Sequence, residues 1–214
     1  MKKTGFTLAE VLITLGIIGV IAALTLPSLQ ADTVAAQIGP KLAKAVSSFE
    51  QANMALLDDQ NVDDLSDSNV LTNATTYRNA LTDFMKASTD TYGNVASGNS
   101  DPVLIAKDGV VYLIEPINLA GRAAAQISTT PHRNYIGRVD IDINGTNRPN
   151  AVGEDHFVFG LFGDGSLRPK GGSQSWNVTD NNTWTTRCAA DATPADATYC
   201  AGHIFENNLK VLYK

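Results

Sequence analysis

The chain has 214 residues, and 16 Lys and Arg against 22 Asp and Glu leave it at −6. A chain this acidic lacks the basic patches that grip a phosphate backbone, so nucleic acid is not favoured as a partner. With 43% hydrophobic and 18% charged residues it can build a core, and two cysteines exclude a disulfide-rich scaffold or a four-cysteine zinc site.

The apolar residues are unevenly placed. Lys2 and Lys3 open the chain, and Phe6 to Leu26 follows as an apolar run whose single charge is Glu10. As a helix this run spans roughly 30 Å, one hydrocarbon core, and the two lysines orient Met1 towards the cytoplasm. A cleaved secretory signal, a plain signal anchor and a specialised assembly helix all satisfy that pattern. Glu10 separates them, because a carboxylate at mid-membrane costs on the order of 3 kcal/mol and so asks for a partner. A cut before Phe6 would supply one by freeing an α-amino group close to the Glu.

Gly5 followed by Phe6-Thr7-Leu8-Ala9-Glu10 resembles the processing and methylation motif of type IV pilins and type II secretion pseudopilins. The resemblance covers residues 1 to about 30. It implies cleavage after Gly5 by a prepilin peptidase, N-methylation of Phe6, and pairing of Glu10 with the amino terminus of a neighbouring subunit. Gly19 and Pro27 fall where the family has its helix-weakening glycine and kinking proline. The implied organisation is a leader over 1–5, a transmembrane and filament-core helix over 6–27, an amphipathic continuation over 28–58 and a globular head over 59–214. The fold class expected is α+β, a long bent N-terminal helix packed on an antiparallel sheet.

The helical period continues through Leu29, Val34, Ile38, Leu42, Val46, Phe49 and Leu56, with a kink expected at Pro40 and with Lys41, Lys44 and Glu50 on other faces. Residues 58–76 are acidic and polar and read as a loop; 77–88 read as a short helix; 89–101 are turn-rich. Val103–Ala106 and Val110–Ile114 flank Asp108-Gly109 as a hairpin. Val139–Ile143 alternates apolar and polar residues and stops at Asn144-Gly145. His156–Phe162 and Ser166-Leu167 flank Gly163-Asp164-Gly165 as a second hairpin, and 200–213 carry a near-helical spacing.

Asp140-x-Asp142-x-Asn144-Gly145 has the opening of a calcium loop, in which alternate oxygens converge on a hard cation, and Asp155 is a further candidate ligand. The twelfth position holds Ala151 where a Glu is expected, so the competing reading is two carboxylates on a strand's solvent face ahead of an Asn-Gly turn. Cys188 and Cys200 resemble the C-terminal disulfide loop of many type IV pilins, which implies that they pair; two free thiols are the alternative. His132, His156 and His203 have no zinc-like spacing, and no nucleophile-elbow, Walker or dinucleotide motif occurs.

These readings converge on a non-enzymatic filament subunit that needs no cofactor, with calcium as the one candidate ion. Its expected partners are further copies of itself, prepilin peptidase, the inner-membrane assembly machinery, and membrane lipid before assembly. A type II secretion pseudopilin is the alternative within the family. A secreted or tethered binding module with an ordinary signal is the alternative outside it. The expected location is the inner membrane with the head outside the cytoplasm, then the filament. Removal of the leader takes Lys2 and Lys3, leaving 14 basic against 22 acidic residues, a mature charge of −8.

Overall fold

A computed structural model describes residues 7–89, 103–115, 135–145, 147, 150–173, 183–189 and 191–211, without the side chains of 26–34. Gly5, Phe6, most of the turn-rich 89–101 segment, His132 and the last residues of the expected C-terminal helix lie outside them. The chain separates into two compact units, Met1–Gln37 and Ile38–Lys214. Helix α1, Leu8–Gln60, is unbroken in its assignment through Pro27 and Pro40, so neither proline ends it.

Within the second unit α1 buries the face that its period marks out. Ile38, Leu42, Val46, Phe49 and Leu56 are all in the core, each contributing on the order of 1.5–3 kcal/mol by leaving water. Phe49 lies against Tyr112 at 5.2 Å and edge-on to Tyr77 at 6.5 Å, both within reach of a favourable ring pair. The Tyr112 hydroxyl donates to the Ala45 carbonyl at 3.0 Å, so its polar tip is not left bare in the core.

The sheet has five described strands in simple order: β1 Val103–Ile105, β2 Val111–Ile114, β3 Tyr135–Asp142, β4 His156–Phe162 and β5 Leu167–Pro169. Every neighbouring pair is antiparallel. With α1 against it, this is the α+β, pilin-like arrangement expected. Both expected hairpins form, with the same three-residue loop. In each, the residue before the loop accepts from the loop's glycine (Gly109 N to Ala106 O, 3.0 Å; Gly165 N to Phe162 O, 2.9 Å). Those glycines sit at φ +86° and +79°, the left-handed region that a side chain resists.

Several polar groups tie the β4–β5 hairpin to α1. Asn53, fully buried, donates from Nδ2 to the Gly165 carbonyl at 2.8 Å and accepts from the Tyr77 hydroxyl. Glu50, expected on an outward face, instead takes the Leu167 N–H at 2.9 Å, and burial pushes its carboxyl above the usual range. The correction has a local cause: β5 is short and needs a partner for its first N–H, and α1 supplies it. At Gly39 a Cβ would lie 1.9 Å from the Leu209 carbonyl oxygen, so only glycine lets the C-terminal segment cross the helix there.

The 58–76 segment is more ordered than a loop. A 3-10 turn at Leu65–Asp67 is capped by Asp64, and α2, Ala74–Met85, begins with Asn73 accepting from Thr76 N at 2.9 Å. Three short helices follow the sheet: α3 Trp184–Arg187, α4 Pro194–Ala197 and α5 Cys200–Glu206. The last stops earlier than its spacing suggests. Asn208 and Leu209 turn left-handed, and Leu209 N bonds back to Ile204 O at 2.8 Å.

Candidate functional site

Two regions were singled out by sequence, the acidic strand and the N-terminal helix. On β3, Val139 and Ile141 face the helix, which sends Asp140 and Asp142 to the opposite side. That side is not solvated: both aspartates are only 1% exposed, and Val111, Leu113 and Val158 beside them are buried too. This corrects the solvent-face expectation. The continuous apolar runs of β2 and β4 were the sign that both faces are covered.

Asp140 is held on both oxygens. Arg138 donates from Nε to Oδ1 and from Nη2 to Oδ2, each at 2.7 Å, and His156 Nε2 lies 2.8 Å from Oδ2. An ionised carboxylate only accepts, so Nε2 carries the proton in this contact. Arg138 also reaches Glu115 at 2.8 Å. Asp142 Oδ1 accepts from Asn144 N at 3.1 Å and Gly145 N at 2.8 Å, closing the Asn-Gly turn. Its carboxyl is pushed up to about 6, first by burial and then by the nearby charge of Asp155, with the two N–H bonds opposing. Asp155 accepts from Asn150 N at 2.7 Å and Ala151 N at 2.8 Å. Among the described residues no group of three or more His, Cys, Asp or Glu is placed to hold a metal ion. Of the expected calcium set, Asp140 accepts from an arginine and a histidine, and Asp142 and Asp155 accept from backbone amides.

The N-terminal helix is a site of another kind. Leu8–Thr25 is long and apolar enough to cross a membrane, with mean hydropathy 2.3, and its large side chains are exposed, Leu8 by 79% and Leu24 by 75%. A face this apolar needs lipid or other helices to cover it. Cβ atoms added at Gly16 or Gly19 would meet nothing, so both glycines present bare backbone. The hydroxyls of Thr14 and Thr25 donate to the Glu10 and Ile21 carbonyls at 2.9 Å, so neither stands unbonded on the apolar helix.

Glu10 is engaged within its own chain. Thr7 donates to its Oε2 from both backbone N and Oγ1 at 2.8 Å, and Glu10 N returns a bond to Thr7 Oγ1 at 3.3 Å. This reciprocal capping box satisfies two of the amide donors that a helix start leaves over. The Thr7-x-x-Glu10 spacing is its sequence signal.

Residues 1–26 match the family model of the prokaryotic N-terminal methylation motif. This is the N-terminal motif that type IV pilins and pseudopilins carry, and the match is confined to those residues. No curated protein and no solved structure matches the chain. The apolar helix and the motif together support membrane anchoring at the N-terminus.

Cys188 and Cys200 form a disulfide, closing a loop of twelve residues' separation with Cα atoms 5.0 Å apart. Tyr199 inside the loop is flanked by two cations, Lys170 Nζ at 4.3 Å and the Arg187 guanidinium at 4.9 Å from the ring centre. Arg187 also pairs with Asp196 at 3.1 Å. The linked segment is thereby fixed to β5 and to itself.

Proposed function

We propose that this pilin-like chain is cut between Gly5 and Phe6 by a prepilin peptidase, N-methylated on Phe6, and polymerised into a type IV pilus or pilus-like filament. The observation that carries the reading is the methylation motif over residues 1–26 joined to a span whose apolar side chains are exposed from Leu8 to Leu24. Before assembly lipid covers that span, with the cytoplasm at its amino end and the head beyond the inner membrane. In the filament, identical helices replace lipid. That exchange gains little hydrophobic energy, so packing at Gly16 and Gly19 and the pairing of Glu10 supply the specificity.

Glu10 neutralises the amino group of Phe6 on the adjoining subunit, exchanging its bonds to Thr7 for a charged partner. The C-terminal disulfide loop supports a pilus over a secretion pseudopilus. Intact mass and N-terminal sequencing of membrane and sheared-surface fractions test the proposal. Methylated Phe6 at the amino terminus is the expected result, with the mature chain in the sheared fraction. Processed chain confined to the membrane would assign it to a pseudopilus, and a start beyond residue 22 would refute the prepilin reading. A Glu10→Ala chain is expected to be processed but to stay out of the filament.

A further inference from the structure

The outward face of α1 within the head unit is electrically lopsided. Lys41 and Lys44 lie near its beginning, Gln51 and Ala55 midway, and Asp58 and Asp59 at its end, all exposed. Steps of three and four residues place them on one stripe. The fourteen positions from Lys44 to Asp58 separate the two signs by about 21 Å along the axis.

The basic end opens onto a cleft of about 620 Å³ formed with the end of α2 and the β1–β2 hairpin. Lys86 and Lys107 join Lys44 at its rim, while Phe84, Met85 and Tyr112 contribute its apolar surface. Lys44 meets Asp108 at 2.7 Å, a pair 68% and 44% exposed and therefore readily exchanged. Among the described residues Lys86 and Lys107 form no ion pair. Three lysines in one cleft stand out in a mature chain with 14 basic residues against 22 acidic.

The acidic end is equally concentrated. Asp58, Asp59, Asp63 and Asp67 are exposed within ten residues that contain no basic side chain. Phe84 in the cleft and Met54 on α1 are the two large apolar side chains outside the N-terminal span that stand out among the described residues as exposed, at 39% and 63%.

We propose that the lysine-rimmed cleft seats the acidic end of α1 from a second copy of the chain, docking successive heads along their helices. A shift along the helix by the distance between the two charged ends, with a rotation that turns the acidic end of one copy towards the cleft of the next, brings Asp58 and Asp59 to Lys44, Lys86 and Lys107. In the parallel arrangement that the filament reading requires, each copy offers its acidic end to one neighbour and its basic cleft to the other, so the contact does not close on itself and repeats. Exposed charges facing their opposites also set register and reject misaligned neighbours. The inference rests on the filament reading above and adds a contact in the head that the N-terminal helix does not provide.

The test uses the full chain in filament-producing cells, scored by the amount in sheared filaments. Lys86→Glu with Lys107→Glu is expected to cut incorporation about tenfold or more, since like charges then face each other. Adding Asp58→Lys and Asp59→Lys to that same chain restores complementarity and is expected to restore incorporation. Lys86→Gln with Lys107→Gln, which introduces no repulsion, serves as the gentler variant, with a severalfold loss expected. Thermal melting of each purified chain separates lost docking from lost folding. Reversal variants that assemble like the parent overturn the docking inference and leave the filament reading intact. Loss that the swap does not repair overturns the second copy as occupant. A parent chain that starts beyond residue 22 instead of at Phe6 refutes the filament reading itself, independently of any variant.

Discussion

Replacing Asp140 by Asn is the sharpest test of the buried face of the sheet. The side chain keeps its shape and loses its charge, while Arg138 and His156 stay aimed at it. Asn Oδ1 can still accept from Arg138 Nε, but its amide nitrogen then confronts two groups that now donate, Arg138 Nη2 and His156 Nε2. Breaking one partner out of a buried pair costs about 3–5 kcal/mol. Arg138 is 30% exposed and keeps Glu115 at 2.8 Å, which places the expected cost near the lower end, about 3 kcal/mol. For a domain of this size that is a fall of about 6–12 °C in melting temperature. Thermal and urea unfolding of the full chain in detergent would measure it, with little rescue by salt because the pair is shielded from water. An Asp140→Asn chain within about 0.5 kcal/mol of the parent, the range of surface substitutions, would refute the reasoning.

Asp142 moves the other way. Its folded-state carboxyl sits at about 6, above its ordinary value, so its contribution is complete at pH values below the unfolded carboxylate range and is lost as pH rises through 6. Between pH 4 and 7.5 Asp142 therefore contributes a falling component, and Asp142→Asn should remove that component and stabilise the chain at pH 7.5 in chelator. A calcium-dependent rise in melting temperature that Asp142→Asn abolishes would instead establish a metal ligand. Replacing both Cys188 and Cys200 with Ala removes a twelve-residue closure and should cost about 3 kcal/mol, read as a melting shift of about 6–12 °C; an unchanged melt would show that the packing around Tyr199 suffices. Asn53→Ala leaves the Tyr77 hydroxyl and Gly165 carbonyl without their shared partner, for an expected loss of about 2–4 kcal/mol in urea unfolding, and a cost below 1 kcal/mol would mean that water replaces the amide.

The N-terminal motif, the apolar span, the period of α1 and both hairpins were legible in the sequence because each depends on neighbours only a few residues away. The 21-residue run from Phe6 to Leu26 with its single charge, a three-four repeat and an Asp-Gly between apolar segments constrain the backbone locally, whatever the rest of the chain does. The disulfide was reached through family resemblance, and the structure pairs the same two cysteines. What failed were inferences about what lies opposite a side chain. The alternation of Val139 to Ile143 correctly separated two faces, yet could not reveal that the polar face is buried and that Arg138 and His156 claim Asp140. Glu50 looked like a surface residue because its partner, Leu167 N, lies 117 positions away. Gly39 carried no motif, and its necessity follows only from the Leu209 carbonyl crossing it. The sequence by itself determined the apolar N-terminal span, its methylation motif, the buried face of α1 and the two hairpins. Tertiary structure alone decided which charges are buried and what pairs with them, because desolvation depends on elements brought together from distant parts of the chain.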